Sequence, residues 1–310
     1  MSVVYKELLE SCKICPRKCN VNRLQNNLGW CKAGAGFYIS SICIHKGEEP
    51  VISGKYGICN VFFAHCNIQC VYCQNYQISN NNISISKFEL SFKDVIFHII
   101  NILNKGINIL GFVSPSHFVP QMLLIIDELK RQGYNPTIVY NSNGYDNVET
   151  LKLLENIVDI YLPDFKYFEN DLAAKYSAAT DYSEIAQKAI KEMYRQKGST
   201  LIINEEGYAE RGLIIRHLVL PGYVANSKKV LKYISEEIST TVRISLMSQF
   251  YPTEASKHIQ QLNRYLTRDE YDEVILEMEK LGMYNGYIQE LESSNNYKPD
   301  FDKNNPFEEI

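Results

Sequence analysis

An excess of positive charge is missing from this 310-residue sequence, in which 32 Lys and Arg stand against 36 Asp and Glu for a formal net charge of −4. A nonspecific grip on nucleic acid needs a basic face that displaces counterions from phosphates, so the composition argues against it. Long hydrophobic runs are missing too. No stretch approaches about 18 uninterrupted apolar residues, and Met1 to Cys12 has no apolar leader-like region. Nine cysteines are too few, and odd in number, for a disulfide-dense secreted scaffold of this length. A reducing cytoplasm is the expected location, and no membrane association is expected. Hydrophobic residues at 45% and charged residues at 22% lie near the globular average, so the chain can bury a core.

What the sequence does have is clustering. Cys12, Cys15, Cys19 and Cys31 fall within 20 residues, and Cys66, Cys70 and Cys73 within eight. Thiolates a few residues apart converge on one ion or cluster without help from the rest of the fold. The window from Phe62 to Asn75 spells C-x3-C-x2-C with Tyr72 just before the third cysteine. Three thiolates hold three irons of a [4Fe-4S] cubane and leave the fourth iron open. S-adenosylmethionine (SAM) can chelate that iron through its amino and carboxylate groups. One-electron reductive cleavage then gives a 5'-deoxyadenosyl radical, which abstracts hydrogen atoms. Tyr72 and Asn75 are candidate cofactor contacts. A zinc site completed by a distant fourth ligand, or cysteines that merely pack, are the competing readings.

The first window, C-x2-C-x3-C-x11-C, is a complete four-ligand set, which closes its metal and suits a structural or electron-transferring site. Spacing separates zinc from a second iron-sulfur cluster poorly, with the balance slightly toward zinc. Lys6, Lys13, Arg17, Lys18, Arg23 and Lys32 face only Glu7 and Glu10 in residues 1–35, so local bases can offset a dianionic tetrathiolate. A partner-docking face is the second reading of that charge. His45, Glu48 and Glu49 form a polar turn that could touch substrate or simply be solvated. Cys43 and Cys59 are left over. Cys59 could face a cavity as a hydrogen donor or be a buried inert thiol; with His117 it is a candidate catalytic side chain.

Residues 1–60 are expected to form a four-cysteine module with little regular structure and a connecting segment. Apolar runs at Ile107 to Val113, Thr137 to Tyr140, Ile157 to Leu162, Leu213 to Leu220 and Val242 to Met247 read as buried parallel strands. Amphipathic helices lie between them, as in Lys93 to Asn104. Asp146 with Glu149, Asp181 with Glu184 and Thr267 with Glu270 match the spacing of a capping box. The βαβα alternation predicts an α/β fold over residues 61–290, a parallel sheet closed or partly closed into a barrel, with ligands at the C-terminal strand ends. Leu201 to Leu213 reads as an inserted hairpin or loop. Residues 291–310 carry five acids against two bases and read as a loosely docked acidic tail.

The cysteine window resembles the signature of the radical S-adenosylmethionine superfamily, and its surroundings are similar to the glycyl-radical-enzyme activating group, in particular the pyruvate formate-lyase activating-enzyme-like proteins called PflX-type. The matching runs are Cys15 to Cys19 (CPRKC), His45 to Pro50 (HKGEEP), Cys73 to Ile78 (CQNYQI), Ser114 to Phe118 (SPSHF), Tyr140 to Tyr145 (YNSNGY), Val158 to Tyr167 (VDIYLPDFKY) and Arg216 to Gly222 (RHLVLPG). They cover most of the chain. The resemblance implies a partial (β/α)6, TIM-like barrel and an enzyme that abstracts a glycyl hydrogen from a partner protein. An electron donor such as flavodoxin or ferredoxin would serve it. The alternatives are a radical SAM enzyme acting on a peptide, small molecule or RNA, and a noncatalytic metal-binding adaptor.

The superfamily usually places a glycine-rich turn for the SAM amino group where this chain has Ser114-Pro115-Ser116-His117. Hydroxyls of Ser114 or Ser116, or backbone carbonyls, would take its place; shaping a proline turn is their other role. Asn143, in the Asn141 to Gly144 turn, is similar to the family's residue near the SAM ribose and amino-acid end. Asp164 and Lys166 resemble a D-x-K element whose lysine faces the SAM carboxylate and whose aspartate faces SAM or a monovalent cation. The resemblance gives His217 a SAM-facing role, against that of a satisfied core histidine. Met247, Gln249 and Tyr251 could close an adenine pocket, although a core role suits them better.

Overall fold

A computed structural model describes residues 3–291, 293, 298–303 and 305–307. The expected 291–310 tail therefore falls partly outside the described residues. Among the described residues ten strands build one sheet: β1 (Phe37–His45), β2 (Ile58–Phe63), β3 (Glu89–Leu90), β4 (Ile109–Val113), β5 (Thr137–Ser142), β6 (Ile160–Pro163), β7 (Ile202–Ile203), β8 (Ala209–Leu218), β9 (Arg243–Met247) and β10 (Gly286–Ile288). Their order is β10-β9-β8-β6-β5-β4-β2-β1-β3, with β7 attached to β8 alone. The strands β2, β4, β5, β6, β8 and β9 run parallel, which makes the expected barrel core, β10 extends them in the same direction beside β9, and the sheet is open between β10 and β3.

Every residue of β2, β4 and β6 is buried, because helices cover the outer face and side chains fill the inner one. The helix Phe92–Leu103 starts at Ser91, whose hydroxyl accepts from the Asp94 amide, and buries Val95, Ile96 and Ile99 on one stripe. Among the described residues no helix is long and apolar enough to cross a membrane.

Three details depart from the sequence expectation. The first sixty residues are less irregular than expected: β1 pairs antiparallel with β2 over Ser41 to His45 and so belongs to the sheet. Its serines and tyrosine interrupt the apolar alternation that would have revealed a strand. Of three capping boxes only Thr267 with Glu270 forms. Asp146 instead accepts from Tyr140 and Ser142, so Asn147 caps the helix Val148–Leu153, and Asp181 accepts from Tyr145. The insertion at Leu201 to Leu213 is a hairpin, with Ile202 opposite Arg211.

Candidate active site

The C-terminal ends of the parallel strands surround one cavity, and the loop after β2 places Cys66, Cys70 and Cys73 on its wall. His65, at φ +63°, turns the chain out of β2 into that loop. Burial pushes the Cys66 thiol up to about 12 and the Cys70 thiol up to about 11, an opposition that a bound metal cation would offset. Each sulfur has a donor. Asn143 Nδ2 lies 3.3 Å from Cys66 Sγ, Ser177 Oγ 2.9 Å from Cys70 Sγ, and Ser79 Oγ 3.2 Å from Cys73 Sγ. Three aimed donors fit three anionic sulfurs on a cluster.

The same cavity is lined by two charged groups on strand ends. After β6, Lys166 Nζ donates to Asp164 Oδ2 at 2.6 Å, and both side chains are largely buried. Burial opposes the ammonium, but Asp164 and then the Cys70 sulfur hold its pKa above the usual lysine value. On β8, Arg216 donates Nε to Glu49 at 2.8 Å and Nη2 to Glu48 at 2.5 Å. Asn60 steadies Glu48 at 2.8 Å, and Gly111 makes this possible, since a Cβ there would sit 2.1 Å from Asn60 Oδ1. Burial opposes ionisation of Glu48, yet Arg216 and His45 hold its carboxyl below the usual range. Among the cavity-lining residues this leaves Glu48 and Asp164 against Arg216 and Lys166, with Glu49 paired to Arg216 behind the wall.

Tyr72, Asn75, Ser114, Asn143, Asp164 and Lys166 all line the cavity. The Asn143 amide is spent on Cys66 and Asn67, so its side chain steadies the cluster loop. Ser116, His117, His217 and Cys59 are buried and do not reach the cavity. His217 is satisfied by the Phe165 carbonyl at 2.6 Å and the Ser227 hydroxyl at 2.8 Å, and burial lowers it to about 4. His117 contacts the Ala64 carbonyl, and Cys59 lies inside β2 with its thiol pushed up by burial. Met247 and Gln249 do line the cavity. Sequence reasoning missed the pairing of Arg216 with Glu48 and Glu49; a charge inside the apolar run Leu213 to Leu220 was the available signal. Ser177 and Ser79 carried no signal at all.

In the first window Cys12, Cys15 and Cys31 are buried and Cys19 is half-buried. Burial and then the Cys31 sulfur push the Cys15 thiol up. Trp30 N donates to Cys19 Sγ at 3.3 Å. Among the described residues no three His, Cys, Asp or Glu side chains are gathered closely enough to share one metal ion, and this holds for both cysteine sets. A lone tetrahedral zinc would draw its sulfurs to within about 4 Å of one another.

Known proteins resemble this chain to different degrees. A protein of Methanocaldococcus jannaschii described as uncharacterized is 30% identical over 290 residues, covering 90% of this chain and 78% of that one. A domain of pyruvate-formate lyase-activating enzyme from Bacteroides vulgatus aligns with TM-score 0.40 at 16% identity, over 56% of this chain and 93% of that chain. The FeFe-hydrogenase maturase HydG from Carboxydothermus hydrogenoformans aligns with TM-score 0.48 at 10% identity, over 74% of this chain and 52% of that chain. The model of the Radical SAM superfamily matches residues 60–234, from the strand that leads into the three cysteines to the helix after β8, and the chain therefore belongs to that superfamily, whose enzymes work with a [4Fe-4S] cluster and SAM.

Proposed function

We propose that this radical SAM enzyme abstracts a hydrogen atom from a protein, in the manner of a glycyl-radical-enzyme activase. The observation that supports it most is that three donor-bonded cysteines and Lys166 line one cavity. Cys66, Cys70 and Cys73 would hold the [4Fe-4S] cluster. When bound, the cluster and SAM supply a one-electron reductive cleavage to a 5'-deoxyadenosyl radical. The chain's own residues bind and orient. Lys166, kept protonated by Asp164, suits the SAM carboxylate, while Ser114 and Asn75 offer polar contacts and Tyr72 buried aromatic surface. Met247 and Gln249 close the side beyond β9. Cys12, Cys15, Cys19 and Cys31 would hold a second metal centre, and a flavodoxin- or ferredoxin-type protein would deliver electrons.

Pro299 and Phe307 of the C-terminal segment also line the cavity, which favours a small molecule or short peptide as the second reading. Anaerobically reconstituted protein given SAM and dithionite is expected to release 5'-deoxyadenosine, and Cys70→Ala to reduce that release to background. Turnover that survives Cys70→Ala would sink the cluster assignment. A glycyl radical signal by electron paramagnetic resonance with a genomically adjacent candidate partner would support the activase reading. Its absence with every such candidate would favour the second.

A further inference from the structure

At the base of the cavity two carboxylates share one cation. Arg216 pairs with both Glu48 and Glu49, whose side chains are 6% and 4% exposed, and no other Lys or Arg forms an ion pair with either among the described residues. Lys166, the other cation that lines the cavity, is taken by Asp164 at 2.6 Å. One negative charge is left over in a place that bulk counterions do not reach, which is costly until a cation pairs with it.

His45 lines the same cavity and is 6% exposed, yet its Nδ1 is buried with no hydrogen-bond partner among the described residues. Burial lowers its pKa, so the imidazole is neutral near pH 7. It is not the missing cation, and it keeps a ring lone pair to offer to a donor. Its ring centroid lies 4.0 Å from that of Phe307 and 6.4 Å from that of Phe62, and both phenylalanines line the cavity too. A carboxylate with charge to spare, an imidazole lone pair and aromatic faces are together the chemistry that receives an ammonium. A carboxylate or phosphate ligand would meet the excess negative charge and be repelled.

The sheet sets where this happens. Asn60 on β2 and Asn141 on β5 donate to Glu48 Oε1 at 2.8 and 3.3 Å. Asn60 stands three residues before Phe63, where β2 ends and the cysteine loop begins, a separation of about 10 Å along a strand. The charged base and the cysteine loop therefore lie at different levels of the barrel.

We propose that this base anchors the substrate through an aliphatic primary ammonium, held by Glu48 and the unpartnered nitrogen of His45 beside the rings of Phe62 and Phe307. The inference rests on the reading of the chain as a hydrogen-abstracting enzyme with SAM at Lys166, and adds the chemistry by which its substrate is recognised. On a protein such a group is a lysine side chain; on a small molecule it is a free amine.

Isothermal titration calorimetry tests it on the anaerobically reconstituted full chain, with the cluster oxidised and SAM saturating, so that the ammonium of SAM already occupies its own position. The probes are n-butylammonium, n-butanol and butyrate. Butylammonium is expected to bind at least about tenfold tighter than butanol, and butyrate not to bind. Glu48→Gln is expected to weaken butylammonium at least about tenfold, and His45→Phe, which keeps an aromatic ring, at least about threefold, in protein that retains its iron. His45→Phe carries the test should Glu48→Gln fail to fold. Nα-acetyl-lysine methylamide separates the two sources: binding tighter than butylammonium assigns the group to a lysine side chain and weaker binding to a free amine, either of which supports the site. Butanol or butyrate binding as tightly as butylammonium, or butylammonium affinity unmoved by either variant, would overturn it. Protein that fails in this way but still releases 5'-deoxyadenosine with dithionite would leave the radical chemistry standing without the ammonium site.

Discussion

At Cys70 a chain of hydroxyls ends on sulfur. Tyr72 and Tyr167 share a 2.5 Å contact, Tyr167 lies 2.8 Å from Ser177, and Ser177 donates to Cys70 Sγ at 2.9 Å. A donor aimed at a cluster sulfur favours the reduced, more negative state. Ser177→Ala is expected to lower the midpoint potential of the cavity cluster by roughly 20–60 mV, read by redox titration of its paramagnetic signal. An unchanged potential would show that the hydroxyl serves packing alone. Arg216 sets a different balance. Arg216→Met leaves two buried carboxylates facing each other and is expected to cost about 3–5 kcal/mol near neutral pH. The folded-state pKa of Glu48 is depressed, so its contribution is present above the usual carboxylate range and lost as pH falls through it. The deficit of the variant should therefore shrink in acid, which urea midpoints at pH 7 and pH 4.5 would test.

Between elements, the turn after β5 and the extended segment after β6 meet at Gly144. This glycine takes φ +79°, and a Cβ would lie 2.1 Å from the Asp164 carbonyl and 3.0 Å from Tyr182 Oη. Gly144→Ala has to push the Asp164-Lys166 segment away from the cavity. The expected result is folded protein, destabilised by about 1–3 kcal/mol, whose apparent SAM affinity falls at least about tenfold while its iron content is retained. Unchanged SAM affinity would remove Asp164 and Lys166 from the SAM site. The parallel strands and the two cysteine sets were legible in the sequence because unbroken apolar runs and close thiol spacing are local signals. The buried triad of Arg216, Glu48 and Glu49 was not, since Arg216 lies more than 160 residues from the two glutamates and meets them only through the sheet. Ser177, which reaches Cys70 from the end of the helix Asn170–Ser177, shows the same limit. The failed capping boxes have a local pattern that tertiary partners outbid: Tyr140 and Ser142 take Asp146, and Tyr145 takes Asp181.

Taken as a whole, the sheet is open, and the chain itself bridges part of the gap. From β10 at one edge the C-terminal segment returns to the other side, where Phe301 packs 5.3 Å and Phe307 5.5 Å from Phe62, ring to ring, and Phe307 lies 4.0 Å from His45. Gln77, on the short helix just after the third cluster cysteine, donates to Asp300 and Asp302 and accepts from the Phe301 amide at 2.9 Å. The described part of the expected tail is thus seated by two aromatic rings, of which Phe307 lines the cavity. Burying parts of two phenylalanines contributes about 1–3 kcal/mol, enough to keep the segment docked most of the time and little enough for a substrate to displace it. A chain ending before residue 298 is expected to keep its fold and its cluster but to bleach faster when a chelator or oxygen is added. It should also release more 5'-deoxyadenosine per productive turnover, because water and small molecules reach the cluster wall freely. Phe301→Ala/Phe307→Ala should reproduce both effects without shortening the chain. Bleaching rates matching those of the intact protein would mean that the cavity is already open past these rings, and that the segment plays no part in shielding it.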